Sequence, residues 1–474
     1  MGDAPLWTAD ELERATGGQL SAPPRGPLNG VAIDSRSIAL GDVFVAIKGD
    51  RLDGHEFVVT ALQAGAGVAV VSRPDAAMAA AGPLLIVDDP LKALEHIGRA
   101  ARSRSQAQII GVTGSVGKTS TKEALRVALG ASGETHASAA SFNNHWGVPL
   151  TLARMRRSAA YGVFEIGMNH AGEIAALAPM VKPQIAIITE IAASHLGHFA
   201  SLDEIADAKA EIFTGLESGG HAVINRDTPY FGRLAEAARA AGVRSIIGFG
   251  KHAQAQVRLT RIALHQDCSC ITADVLGEEV IYKLGVPGEH MAMNSLAVLA
   301  AVKLSGADLA RGALALAAAE PAKGRGVRMK LQAPGGELLL IDESYNANPT
   351  SMRAALMLLK SSQTGKGGRR IAVLGDMLEL GVHGPALHAG LAEALDLAQV
   401  DTLYAAGPLM ASLWANTPAA RRGFLAGTSE ELREPLLETL HAGDAVMIKG
   451  SLGSRMGPLV EAVKSRFQPV QKEA

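Results

Sequence analysis

Residues 109–123 read IIGVTGSVGKTSTKE: an apolar run, a turn of small residues, then Gly117, Lys118 and Thr119. Gly114 and Gly117 let backbone amides approach an anion, and a helix starting near Lys118 adds its partial positive charge. In a loop of this kind the Lys118 ammonium bridges the β- and γ-phosphates of a nucleotide. The Thr119 hydroxyl offers oxygen to Mg²⁺, and Ser115, Val116 and Ser120 complete the cradle. The strict pattern G-x-x-x-x-G-K-[ST] is not met, because Val112 stands where the first glycine belongs and the glycines fall at Gly111 and Gly114. A strand before the turn and a helix after it favour a phosphate loop over a glycine-rich turn followed by a chance lysine.

The surrounding elements follow from the pattern of apolar runs. From QIIGVT onward, strand, loop and helix repeat: YGVFEIG, PQIAIITE and HAVIN are short apolar runs bounded by turn residues. Such runs with helical patterns between them predict a parallel sheet covered on both faces. EPAKGRG, residues 320–326, reads as a linker, after which ELLLIDE, RIAVLGD, DTLYAAG and DAVMIKG restart the alternation. Ahead of the loop, GDVFVAIKG, GVAVVS and LLIVDD mix with short helices. The expectation is an α/β protein of three domains, residues 1–105, 106–325 and 326–474, with the phosphate loop in the central one.

Composition narrows the classes further. Lys and Arg number 45 against 47 Asp and Glu, a net charge of −2, and aromatics make up 4%. Neither bulk attraction to nucleic acid nor a base-stacking platform is expected. No apolar run is long enough for a membrane helix, and the opening stretch lacks the basic and apolar regions of a signal peptide. Cys268 and Cys270 fall in CSCITADV with no second pair to complete a zinc site, so two ordinary thiols in a reducing cytoplasm are expected.

Several further residues have chemistry and an ordinary alternative. Glu165 ends an apolar strand, where it could face a metal–nucleotide or simply a surface loop. A lone His195 is more often a core histidine, and Lys209, placed at the start of an amphipathic helix, a solvated charge. Asn143 and Asn144 suit phosphate contacts or an Asx turn. Asn294 lies in the apolar helix MAMNSLAVLAAVKL, where an unpaired amide is costly.

The loop GVTGSVGKTSTKE resembles that of the Mur ligases, ATP-dependent amide-forming enzymes of peptidoglycan precursor synthesis. The likeness continues through SFNNHWGVPLTLARM, FEIGMNHAGEI, HLGHFASLDEIADAKAEIF and GEHMAMNSLAVLAA, although Ser141 stands where the first Asn of its motif is usual. The resemblance implies ATP and two Mg²⁺ ions, with Thr119, Glu165 and His195 as metal ligands. It also implies a carbamylated Lys209 as an oxygen donor. Lys118, Glu165, His195 and Lys209 are the expected catalytic group, and Asn294, Arg325 and Asp342 the further nucleotide contacts.

DSRSIALGDVFVAIKGDRLDGHEF is similar to the family's UDP-binding segment, implying that Ser35, Arg36 and Lys48 hold the UDP end of the substrate. DESYNANPTSM, LGDMLELG and IKGS resemble the members that join D-alanyl-D-alanine to UDP-N-acetylmuramoyl-tripeptide. Tyr345, Asn346 and Asn348 then lie near the incoming dipeptide. Leu452 stands where Arg is usual, with Arg455 three places on, and neither is assigned a role. A folylpolyglutamate synthetase shares the loop type but has no counterpart of the N-terminal segment. A nucleotide-switched NTPase would not need the SYNANP domain. A monomer is expected.

Overall fold

The computed structural model describes residues 4–139 and 141–470, and the first residues of the opening stretch lie outside them. Three sheets divide the chain. The N-terminal sheet runs Gln19–Leu20, Leu84–Ile86, Val68–Val71, Asp42–Val45, Gly30–Ala32; only the first strand is antiparallel to its neighbour. The C-terminal sheet runs Val327–Ala333, Gly336–Glu343, Ala445–Lys449, Arg370–Gly375, Thr402–Ala406, Arg422–Ala426. Its first pair is antiparallel and the rest parallel.

The central sheet is larger. Thr135–Ala137, Tyr161–Glu165, Gln108–Thr113, Ile185–Ile188, His221–Asn225 and Ser245–Gly250 are parallel neighbours. The parallel strands predicted from their apolar runs are present. The pattern did not reveal the edge, where Val257–Leu264 pairs parallel to the sheet and then carries Ser269–Val275 and Glu278–Leu284 as an antiparallel meander. Ser269–Val275 alternates buried and less buried positions, the mark of a sheet with one wet face. Cys268 and Cys270 are free, Cys270 exposed on that strand.

The order places strand Gln108–Thr113 between strands that follow it in the chain, Tyr161–Glu165 on one side and Ile185–Ile188 on the other. Crossovers therefore leave in opposite directions, opening a crevice at the carboxyl ends where ligands bind in open α/β sheets. Strand Ala445–Lys449, between Gly336–Glu343 and Arg370–Gly375, creates a second such point in the C-terminal sheet.

The N-terminal unit is packed firmly on the central one. Trp7 donates its indole N–H to the Ala153 carbonyl (2.9 Å), and Leu150 and Ala153 of helix Gly147–Ala153 complete the N-terminal core. Arg102 donates to the Val181 and Lys182 carbonyls, each at 2.8 Å, and pairs with Glu217. Among the described residues, no helix is long and apolar enough to cross a membrane.

Asp444 anchors the C-terminal sheet. Its buried carboxylate accepts from the Arg369 backbone N–H and guanidinium and from the His441 N–H, at 2.7–3.2 Å. Asp444→Ala removes the acceptor from a cation and two amides at once. It is expected to cost about 3 kcal/mol, the lower end for a broken buried pair because Arg369 remains partly hydrated. Denaturant titration, following the C-terminal unit, should show the loss as a lowered midpoint.

Candidate active site

The phosphate loop is built as the sequence predicts. Strand Gln108–Thr113 ends at the turn, Gly114 and Gly117 have φ of 149° and 89°, and helix Lys118–Gly130 begins immediately after. A Cβ on Gly114 would lie 1.9 Å from Thr189 Oγ1, so glycine is required there by space as well as by backbone angle. Thr189 fixes the turn by donating its hydroxyl to the Val116 carbonyl (2.6 Å), and Ser115 N–H donates to the Glu190 carbonyl (2.7 Å).

Glu165 ends its strand nearly fully buried, 2% exposed, and gathers its neighbours. Thr119 donates its hydroxyl to Oε2 (2.9 Å) and Asn143 its amide to Oε1 (2.7 Å). Lys118 donates to the Gly114 carbonyl (2.7 Å), closing over its own loop. Asn144 instead caps the following turn through the Trp146 and Gly147 amides, the Asx-turn alternative.

Lys209 lies in the last turn of helix Leu202–Ala210 rather than at its start, and it is 1% exposed. The amphipathic pattern of that helix suggested a surface charge, but packing buries the residue. Burial pushes its amine well below the usual lysine range, helped by the charge of Lys118 and opposed by Glu211. The Lys118 ammonium is also pushed down, mainly by burial and further by Arg325, while Glu165 opposes the shift. Arg325 thus disfavours the Lys118 cation and Lys118 the Lys209 cation, while Glu165 favours that of Lys118. A polyanion in the cleft relieves that repulsion.

His195 has φ of 59° and follows the loop after strand Ile185–Ile188. Its Nδ1 is 2.5 Å from Oε2 of Glu379, on the C-terminal unit. Burial lowers the imidazole pKa, Glu379 raises it, and Lys118 and Lys209 lower it further.

Both crossover points face one cavity of about 420 Å³, lined by the loop, Glu165, His195, Asn294, Arg325, Tyr345 and Lys449 among others. Arg325 stacks its guanidinium 4.4 Å from the centre of the Tyr345 ring, which orders the linker. Asn346 and Asn348 also line the cavity, but each has local work. Asn346 Oδ1 accepts from the Ala347 N–H (2.9 Å), while Asn348 caps helix Pro349–Lys360 through the Ser351 N–H (2.9 Å).

Asn294 abuts the loop from helix Glu289–Leu304, since a Cβ on Gly117 would lie 2.7 Å from its Nδ2. It borders a further cavity of about 630 Å³ with Glu190, Met293, Pro287 and Met357. Asp342, whose Oδ1 accepts from the Ser344 N–H and hydroxyl, opens instead on a groove of about 800 Å³ beside Thr119 and Arg325. The structure does not bring Asp342 and Asn294 into one cavity.

Ser35, Arg36 and Lys48 stand apart from the cleft lining. Arg36 is exposed and forks onto Asp34, holding that carboxyl down to about 2. The Lys48–Gly49 turn nevertheless reaches the central unit: a Cβ on Gly49 would meet the Trp146 ring at 2.9 Å.

Sequence reasoning does not single out Lys449 within IKGS, yet it lines the cavity. It ends a parallel strand, is 2% exposed, and pairs with Glu343 (3.1 Å) while donating to the Asn346 carbonyl (2.9 Å). A lysine closing an otherwise apolar strand was the available signal.

Oxygen donors suited to Mg²⁺ are present in Thr119 and Glu165, and the Ser115 and Ser194 hydroxyls at the cavity are buried with no hydrogen-bond partner among the described residues. No group of three or more His, Cys, Asp or Glu among the described residues could hold a metal by itself.

A loop that cradles phosphate, a buried acid beside it and a second α/β unit closing the cleft define a nucleotide-dependent, multidomain α/β enzyme class. Residues 27–102 match the Mur ligase family, catalytic domain; 112–302 the Mur ligase middle domain; and 327–452 the Mur ligase, glutamate ligase domain. The UDP-N-acetylmuramoyl-tripeptide–D-alanyl-D-alanine ligase of Rickettsia prowazekii is 31% identical, covering 96% of this chain and 99% of its own. The Escherichia coli ligase of the same name is 33% identical over 92% and 94% of the two chains. A crystal structure of MurF from Acinetobacter baumannii superposes with a TM-score of 0.84 at 31% identity, covering 97% and 99%. The chain belongs to the Mur ligase family.

Lys118→Ala should abolish ligation in a folded protein, since a charged contact made chiefly in the transition state is worth roughly 3 kcal/mol or more. Steady-state turnover with circular dichroism as the folding control checks it; near-normal turnover would remove the phosphate-loop assignment.

Proposed function

We propose that the protein is an ATP-dependent ligase joining D-alanyl-D-alanine to UDP-N-acetylmuramoyl-tripeptide, giving the pentapeptide precursor of peptidoglycan, ADP and phosphate. The observation that carries this is the pair Lys118 and Arg325, whose cations repel, at the phosphate loop beside Glu165, in a cavity shared with the unit that bears the SYNANP segment. Near full-length similarity to ligases of that name supports the choice of substrates.

The tripeptide carboxylate attacks the γ-phosphorus of ATP, forming an acyl phosphate as ADP departs. The dipeptide amine then attacks the activated carbonyl, phosphate leaves, and the nitrogen gives up its proton. Lys118 and the loop amides offset charge on the transferring phosphoryl group. Thr119 and Glu165 would hold Mg²⁺, which would supply further charge stabilisation. Arg325 and Asp342 contact the nucleotide as the C-terminal unit closes, and the apolar-walled cavity beside Asn294 suits the adenine. Asn143 and Asn144 are assigned to the phosphate region, Tyr345, Asn346 and Asn348 to the dipeptide end. Ser35, Arg36 and Lys48 are assigned to the UDP end.

The units 1–105, 106–325 and 326–474 are accordingly assigned to UDP, ATP and dipeptide. Closure of the cleft excludes water from the acyl phosphate. The protein works as a cytoplasmic monomer, a compartment consistent with free Cys268 and Cys270.

Two metal ions are proposed, the second held by His195 and Lys209. An ammonium cannot ligate a cation, but an amine made neutral by burial adds CO₂, releasing a proton and leaving a carbamate oxygen donor. Because the Lys209 pKa is depressed, the neutral form is populated at lower pH than for an exposed lysine. Lys209→Ala should be nearly inactive, and a small carboxylic acid at high concentration should restore part of the rate. Unimpaired turnover in Lys209→Ala would refute a metal role.

Acceptor choice tests the overall assignment. With ATP, Mg²⁺ and UDP-muramoyl-tripeptide, D-Ala-D-Ala should support turnover where D-Ala, D-Glu or L-Lys do not. A site left with unpaired polar groups by a single residue discriminates by a factor of about 10⁴. Product mass decides the matter, and a product extended by one amino acid would place the protein with another member of the family.

A further inference from the structure

The C-terminal unit touches the proposed second metal position through one loop. Glu379 lies in the turn after strand Arg370–Gly375, with φ of 62°, and it meets His195, whose φ is 59°. Two left-handed, non-glycine residues facing each other across a domain boundary are uncommon, and such geometry persists only where its surroundings enforce it. Here two bonds enforce it. Glu379 Oε2 takes the hydrogen bond of His195 Nδ1 at 2.5 Å, and the Glu379 carbonyl accepts from the Gly197 N–H at 2.8 Å. The approach is close enough that a Cβ on Gly381 would lie 3.1 Å from Gly197 Cα. With Nδ1 donating to a carboxylate, the ring's free lone pair is on Nε2, and the ring plane is fixed.

We propose that Glu379 is a positioning residue, supplied by the C-terminal unit, that orients His195 so that Nε2 faces the metal only when that unit is docked. The inference rests on His195 being a metal ligand, as assigned above. It makes the dipeptide-binding unit part of the metal site and couples docking of that unit to metal affinity. Glu379 lines the same cavity as the phosphate loop and Glu165, and its bonds there run to His195 and the Gly197 N–H, so its influence on the metal position passes through the imidazole.

The test is Mn²⁺ binding to the full-length protein with ADP, followed by electron paramagnetic resonance, which needs no turnover. Glu379→Ala should weaken Mn²⁺ binding about tenfold, the lower range for losing a carboxylate that orients a metal-binding histidine. Glu379→Gln, whose amide oxygen still accepts from Nδ1–H, should retain most of the affinity. In a His195→Ala background, Glu379→Ala should cause no further loss, since the ring it orients is gone. Unchanged Mn²⁺ affinity in Glu379→Ala, with His195→Ala weakened, would overturn the positioning role alone. So would an equal loss in both backgrounds, which would mean that Glu379 acts by holding the domains together. Unchanged affinity in His195→Ala would overturn the ligand assignment itself, and this inference with it.

Discussion

A single buried carboxylate organises the cleft. Glu165 has little access to water at its depth, so it needs donors, and it takes them from Thr119 on the loop helix and Asn143 on the segment that follows the next strand. Those bonds set the distance between the phosphate loop and the neighbouring strand. They also place a negative charge that favours the Lys118 cation. Arg325 adds positive charge beside Lys118, which suits the cleft to a polyphosphate.

Two sheets, each with a crossover point, meet at their carboxyl ends, and this arrangement explains why the site has contributions from both units. Neither edge is sufficient alone. The central edge offers the loop, Glu165 and His195, while the C-terminal edge offers Lys449, fixed by Glu343, and the Tyr345 ring that holds Arg325. Activating a carboxylate with ATP demands protection from water, and a cleft walled by both edges suits that demand.

The N-terminal unit is held differently. Trp7, Arg102 and Arg154 donate to backbone carbonyls outside their own elements, and one central helix completes the N-terminal core. Buried contacts of that kind make a stiff joint. The C-terminal unit instead meets the central one through polar contacts such as His195 with Glu379 and Arg328 with the Gln266 carbonyl. Of the two joints, the second has the character expected of one that opens and closes.

The sequence by itself determined the phosphate loop, the strands on either side of it, and the placing of Glu165 at a strand end. These follow from local constraints: apolar runs must be buried, and Gly114 and Gly117 allow backbone angles that other residues avoid. It also made the three-unit division legible through the turn-rich linker at 320–326. Tertiary structure alone decided the rest. Whether Lys209 is a solvated cation or a buried amine depends on what packs over the end of its helix, and the helix pattern suggested the surface. Asn143 and Asn144 are identical neighbours, yet one reaches Glu165 and the other caps a turn, because only one points at the buried carboxylate. Lys449 and Glu379 belong to the site through strands and loops distant in sequence, and no spacing along the chain encodes a contact made across 184 residues.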